Sequence, residues 1–225
     1  DRLRASMAAG AALTEKIGLV GAAVSDLPEI ASLCADYHDG STRVSFSSLR
    51  ADGLVPELLE TLRQSRVKTA TIAPDAGSER MRKVINKGMD EAAVLSAAET
   101  LVAGGIPNLK LYFMVGLPTE TAADVDAIVG MCRRIKHRFL QSSRTRGRMG
   151  DITVSLNSFV PKPVTPFQWA AMDEVGELKQ KIKRVKEGLR RMPNVRLHHD
   201  VPKHAYIQAL LSRGDRRVAT ILVGL

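Results

Sequence analysis

Short apolar runs alternate along this chain with longer stretches of helical period. Residues 17–24 read as a buried strand, 43–48 as a second and 67–73 as a third rich in β-branched residues. Residues 109–115 form a fourth run, and 151–159 alternate polar and apolar positions, the mark of a fifth strand. Between them the pattern predicts helices over 28–37, 54–63, 78–86, 90–103, 121–139 and 175–191. Asp26 stands as a possible cap of the first of these, Pro56 falls in the first turn of the second, and Gly104-Gly105 stops the helix that begins at Asp90. A short strand at 195–198 and helical stretches at 204–212 and from 215 onward complete the chain.

Strand–helix alternation with helices long enough to cross over requires parallel strands. A Rossmann sheet and a barrel both satisfy it, but a Rossmann sheet calls for a Gly-x-Gly-x-x-Gly turn after a strand, which this sequence lacks. The expected fold class is therefore α/β, a partial (β/α) TIM-type barrel with parallel strands. It forms one domain over 1–225, with core elements over 15–170 and a basic helix with a helical extension over 171–225. No internal repeat is visible beyond the βα unit.

Composition adds modest constraints. The 225 residues are 44% hydrophobic and 25% charged, which suits a domain with a proper core rather than disorder. No run of 18 apolar residues is present, so no membrane partner is expected. The net charge of +9 raises RNA as a possible partner. Basic residues concentrate in Arg144-Thr145-Arg146-Gly147-Arg148 and along a helix carrying Lys179, Lys181, Lys183, Arg184, Lys186, Arg190 and Arg191; elsewhere they are dispersed, as on an ordinary solvated surface. Aromatics make up 4%, too few for an evident base-stacking platform. Cys34 and Cys132 each sit in amphipathic helical patterns and read as buried free thiols without metal-ligand spacing, consistent with a cytoplasmic location. The chain opens Asp1-Arg2-Leu3-Arg4, without an initiator Met or a signal-peptide pattern, and is expected to derive from a longer protein.

In parallel α/β barrels the chemistry lies at the C-terminal ends of the strands. Those ends read Ser25-Asp26, Ser47-Ser48-Leu49-Arg50, Pro74-Asp75-Ala76-Gly77-Ser78, Gly116-Leu117-Pro118-Thr119-Glu120 and Val160-Pro161-Lys162-Pro163. They offer hydroxyls, carboxylates and backbone groups suited to a polar ligand. No catalytic set emerges: there is no Gly-x-Ser-x-Gly elbow and no Walker loop, and the adjacent His198 and His199 would point to opposite faces of a strand. Catalytic residues stay unassigned, and no metal ligands are expected in the chain.

Three segments carry a family resemblance. Residues 74–88, PDAGSERMRKVINKG, resemble the fourth-strand segment of radical S-adenosylmethionine (SAM) enzymes. Residues 110–121, KLYFMVGLPTET, look like the fifth-strand segment, and 157–169, NSFVPKPVTPFQW, like the sixth. Their wording is similar to the cobalamin-associated branch, with a looser likeness to the methylthiotransferases. The resemblance implies SAM and a [4Fe-4S] cluster as cofactors, and possibly cobalamin. It places Gly21 near the SAM amino group and Asp75 near the ribose or amino-acid moiety. Arg82 and Lys87 become candidates for the SAM carboxylate, with Gly116 and Val160 bordering the adenine; Ser47, Arg50 and Ser78 join the candidate cofactor set from their strand ends.

The family holds its cluster on Cys-x-x-x-Cys-x-x-Cys, because such clusters need thiolate ligands. That motif is absent from this sequence. The expectation is a radical SAM enzyme whose cluster ligands lie outside this chain, the chain alone being inactive. The competing expectations are a cluster-less barrel that binds RNA or a protein partner through its basic surface, and a barrel hydrolase or lyase. An open barrel edge is expected to favour a homo-oligomer.

Overall fold

The computed structural model describes residues 2–21, 24, 27, 29–37, 42–47, 49, 51–143 and 150–223. In chain order the elements are α1 (Arg2–Ala11), β1 (Lys16–Leu19), α2 (Ile30–Ala35), β2 (Arg43–Phe46), a 3-10 turn (Ala51–Gly53), α3 (Pro56–Gln64), β3 (Thr69–Asp75), α4 (Glu79–Val84) and α5 (Glu91–Ala103). They continue with β4 (Asn108–Val115), α6 (Ala122–Ser143), β5 (Ile152–Ser158), α7 (Val175–Leu189), β6 (Val195–His199), α8 (Pro202–Arg213) and α9 (Val218–Val223).

All strand pairings are parallel. β1 pairs with β2, and β3, β4, β5 and β6 form a four-stranded sheet in sequence order. A parallel bridge between Leu49 and Ile72, in which the Leu49 N–H donates to the Thr71 carbonyl at 2.9 Å, sets the end of β2 beside β3. The result is a strand–helix succession with parallel strands, the partial (β/α) barrel expected from the sequence.

Strand alternation divides the sheet into two faces. Ala70 and Ile72 of β3, Leu109, Leu111, Phe113 and Val115 of β4, and Ile152, Val154 and Leu156 of β5 are all buried against α3, α5, α6 and α7. A second cluster packs α1 and α2 on β1 and β2 through Met7, Leu33, Cys34 and Val44. A third lies at the strand ends, where Ala76, Met81, Leu117 and Phe159 meet, with Met114 and Phe167 against them. Asp90 caps α5 by accepting from the Ala93 N–H at 2.7 Å.

Three differences from the expected elements have physical causes. α1 was not foreseen, because its only buried residue is Met7 and its sequence carries little periodicity. β1 ends at Leu19 rather than 24, since Val20 is 87% exposed and has no core to enter. β3 runs through Pro74 to Asp75, residues expected in the following loop. Of the sequence expectations, the Asp26 cap, Ser48, Arg50 and the basic stretch 144–148 lie outside the described residues.

Candidate cofactor site

The ends of β3 and β4 owe their shape to unusual backbone. Asp75 takes a left-handed conformation, φ 62°, inside a tight turn closed by the Ala76 N–H and the Pro74 carbonyl at 2.8 Å. Such a conformation is uncommon outside glycine and is characteristic of functional loops, though Asp tolerates it better than most residues. Gly77 follows because a Cβ there would lie 2.1 Å from the Ile128 backbone nitrogen of α6. Ser78 caps α4 by accepting from the Met81 N–H at 3.1 Å.

Beyond α4 the chain turns through Asn86 and Gly88, both at positive φ, which returns Lys87 toward the strand end. The Lys87 ammonium forms an ion pair with the Asp75 carboxylate. Asp75 belongs to two cavities. One, of about 410 Å³, is lined by Val20, Gly21, Ser47, Tyr112 and Asn157 among others; the second, of about 600 Å³, by Lys87, Leu117, Phe159, Val160 and Phe167 among others. Met114 also lines both. Phe159 and Phe167 meet edge to face at 6.1 Å in the wall of the larger cavity.

The structure thus brings Gly21, Ser47, Asp75, Lys87 and Val160 to these adjoining cavities. Ser47 also donates to the Gly21 carbonyl at 3.3 Å, tying β2 to the end of β1. Arg82, Ser78 and Gly116 line neither cavity. Arg82 is 1% exposed and donates to the carbonyls of Ala76, Gly77 and Met89 at 2.9–3.1 Å. It fixes the loop that carries Asp75, and burial lowers its pKa. Ser78 is occupied by its cap and by a 2.6 Å hydrogen bond to Asp124. Burial opposes ionisation of Asp124, but donors from Arg80, Ser78 and Thr121 outweigh it and hold the carboxyl well below its usual range.

Gly116, φ 82°, makes the turn after β4, where a Cβ would strike Leu178 of α7 at 2.7 Å. Its N–H donates to Glu120 at 2.8 Å. Glu120 in turn pairs with Lys181 of α7 at 2.9 Å, and Lys181 also reaches Asp173 at 2.6 Å. Burial pushes the Glu120 carboxyl up, partly offset by Lys181 and the Gly116 N–H. The basic helix α7 therefore turns Lys181 inward, while Arg184 is engaged with Asp126 at 2.5 Å. Tyr112, Met114, Asn157, Phe159 and Phe167 line the cavities without being among the residues expected there from the sequence. The first three occupy the non-apolar phase of their strands near the C-terminal ends, a signal that alternation contains.

The cysteines do not suit a cluster. Cys34 and Cys132 are buried free thiols in separate cores, and burial pushes them up to about 11 and about 12. Among the described residues no group of three or more His, Cys, Asp or Glu could hold a metal ion, and no helix is long and apolar enough to cross a membrane.

A family model for the radical SAM superfamily matches residues 2–132. The chain belongs to that superfamily, and membership implies SAM and a [4Fe-4S] cluster as cofactors. A Methanocaldococcus jannaschii protein, uncharacterized protein MJ0966, is 33% identical over 207 residues; the match covers 92% of this chain and 43% of that protein, so the chain spans less than half the relative's length. Among solved structures, coproporphyrinogen III oxidase (HemN) from Escherichia coli, a radical SAM enzyme, aligns with TM-score 0.59 at 11% identity, covering 84% of this chain and 44% of its own. Streptococcus suis SuiB bound to S-adenosylmethionine aligns with TM-score 0.55 at 11% identity, over 86% of this chain and 41% of its own. At such identity these two establish likeness of fold.

Proposed function

We propose that this chain is the SAM-binding core of a radical SAM enzyme, with SAM lying across the C-terminal ends of β1 to β5. The observation that carries this reading is the junction of two cavities at Asp75 and Met114 in a chain of this superfamily. Their volumes, about 410 and 600 Å³, are in the range of small-molecule sites.

The chemistry of the lining suits the ligand. The Asp75–Lys87 pair presents a carboxylate beside an ammonium, complementary to the ammonium and carboxylate of an amino-acid zwitterion. Phe159, Phe167 and Leu117 offer an apolar wall for adenine, bordered by the Val160 backbone. Gly21, without a side chain, lets a ligand approach the end of β1. Arg82 acts at one remove, by holding the loop that positions Asp75. Bound SAM, with a cluster, supplies the radical chemistry; this chain's residues bind, orient and shield it. Its own cysteines do not fit the cluster, whose ligands are assigned to the rest of the protein. A cobalamin-linked methyl transfer is the finer form of this reading and rests on the wording of the strand-end segments at 74–88, 110–121 and 157–169.

The test is anaerobic reconstitution of the intact protein with iron and sulfide, followed by measurement of reductant-dependent 5′-deoxyadenosine formation from SAM. The expected result is product from the cluster-loaded protein, strongly reduced by Asp75→Asn, and none from the 225-residue chain alone. A cluster-loaded protein that binds no SAM would end the proposal.

A further inference from the structure

β6 is the outermost strand of the four-stranded sheet, and among the described residues no strand pairs with its second edge. Its register against β5 runs from Val195 to His199 without a bulge, so the free edge is regular. The Ile152 N–H donates to the Asn194 carbonyl at 2.8 Å, and the Asp200 N–H to the Leu156 carbonyl at 3.2 Å. Even-numbered residues therefore bond inward to β5, and alternation turns the N–H and C=O of Leu197 and His199 outward. Natural sheets ordinarily bulge or cover such an edge, because it is a template for another strand.

Beside this edge lies a groove of about 530 Å³, lined by β6, α7 and the α7 C-cap Arg190. Val195, Leu197 and the buried Leu189 give it an apolar floor. Its α7 wall carries Lys183, Lys186 and Arg190 at i, i+3 and i+7, on one stripe of the helix. Glu187, the acidic residue of the lining, is engaged with Lys183 at 3.8 Å. Lys186 and Arg190 are exposed and, among the described residues, have no ion-pair partner. Lys181 and Arg184 of the same helix are held by acids of the fold, so these two cations are charge that the fold itself does not use.

An occupant has to supply backbone groups to Leu197 and His199, apolar surface to the floor and negative charge to Lys186 and Arg190. Nucleic acid supplies only the charge, and no aromatic side chain lines the groove to stack a base. A second copy joined edge to edge would set the same cations against each other in a chain of net charge +9. An acidic strand of another protein supplies all three.

We propose that the β6 edge and the α7 groove are a docking site for a partner protein, which adds an extended acidic segment of about five residues to the sheet. Side chains at the centre of that segment are apolar and cover Val195 and Leu197, and those at its ends are acidic and meet Lys186 and Arg190. The groove lies on the helix side of the sheet, away from both strand-end cavities, so the inference stands or falls independently of the radical SAM reading.

The experiment titrates the intact protein with the capped peptide Glu-Thr-Val-Thr-Glu, fluorescently labelled, at concentrations up to about 1 mM. The peptide places Glu, Val and Glu on one face and reads alike in both directions, so it suits either strand orientation. Saturable binding is expected. The double variant Lys186→Glu/Arg190→Glu should weaken it at least about tenfold and should instead bind Lys-Thr-Val-Thr-Lys, which the wild type rejects. That reversal also verifies that the variant is folded. N-methylation at Val and N-methylation at both Thr residues block opposite edges of the probe; one form should lose binding at least about tenfold and the other should keep it. Retention of binding by both forms would reduce the site to charge attraction and overturn the strand addition. No binding by the wild type, equal binding by the double variant, tighter binding of oligouridylate in competition with the peptide, or a dimer that the peptide dissociates would each overturn the inference.

Discussion

Lys87 and Asp75, twelve positions apart in sequence, form an ion pair at the junction of the two cavities, and Asp75 does so from a left-handed backbone. Both side chains are about a quarter exposed, so the pair contributes little to stability. Its position suits binding instead. Lys87→Met and Asp75→Asn are each expected to weaken SAM binding by about 10–100-fold, the loss of one charge-assisted hydrogen bond to the ligand. Unfolding free energy should change by less than about 1 kcal/mol. Calorimetric titration alongside urea denaturation checks both; a large stability loss without a binding loss would make the pair structural.

The Glu120–Lys181 pair lies at the other extreme. Glu120 is 2% exposed in its side chain, so removing Lys181 strands a buried carboxylate. Lys181→Met should destabilise the protein by about 3 kcal/mol at neutral pH. Burial raises the pKa of Glu120, so the folded state binds its proton more tightly than the unfolded state does. A carboxyl of this kind favours the fold when protonated, and its contribution erodes as pH rises from the ordinary carboxylate value through the raised one. Without Lys181 that erosion deepens. The deficit of Lys181→Met relative to wild type should therefore be larger at about pH 7.5 than at about pH 4.5, and adding Glu120→Gln should recover much of it. Denaturation curves at the two pH values decide the matter.

How far these features were readable follows from what each depends on. β4 and β5 were legible because Leu109, Leu111, Ile152 and Val154 repeat at the strand period and are in fact buried. The strand ends followed from the βα order, which brought Asp75 and Val160 into view, whereas Lys87 entered the candidate set only through the family resemblance of residues 74–88. The left-handed Asp75 was not legible, since sequence does not disclose backbone angles where the residue is not glycine. Nor was the burial of Arg82: arginine is rarely enclosed, and its partners are carbonyls of Ala76, Gly77 and Met89, which have no side-chain signature. Lys181 read as one of many basic positions on α7; only the packing of α7 over Gly116 turns it toward Glu120.

Gly77 is required by proximity. Its ideal Cβ would fall within 2.1 Å of the Ile128 nitrogen and 2.6 Å of the Ala127 carbonyl carbon, both backbone atoms of α6 that cannot rotate away. Gly77→Ala should cost about 3 kcal/mol by separating the β3–α4 loop from α6. Because Arg82 bonds the Gly77 carbonyl, the same change should also weaken SAM binding through misplacement of Asp75. A variant as stable as wild type by urea denaturation would show that the loop yields without strain.

Cys34 and Cys132 provide the last test, because a cluster ligand must be a reachable thiolate. Both side chains are fully enclosed, Cys34 on the face of α2 that packs with α1 on the first two strands and Cys132 on the buried face of α6. Burial pushes their thiols up to about 11 and about 12, so at neutral pH each stays protonated. The native protein should resist alkylation by iodoacetamide at about pH 8, reacting only as fast as the structure opens, while the urea-unfolded chain reacts at both positions. In the intact protein, Cys34→Ala and Cys132→Ala should leave iron content after reconstitution unchanged, although each loses some stability from the cavity created. Rapid native labelling of either thiol, or loss of iron in either variant, would place a cysteine of this chain in contact with the cluster and overturn the assignment of its ligands to the rest of the protein.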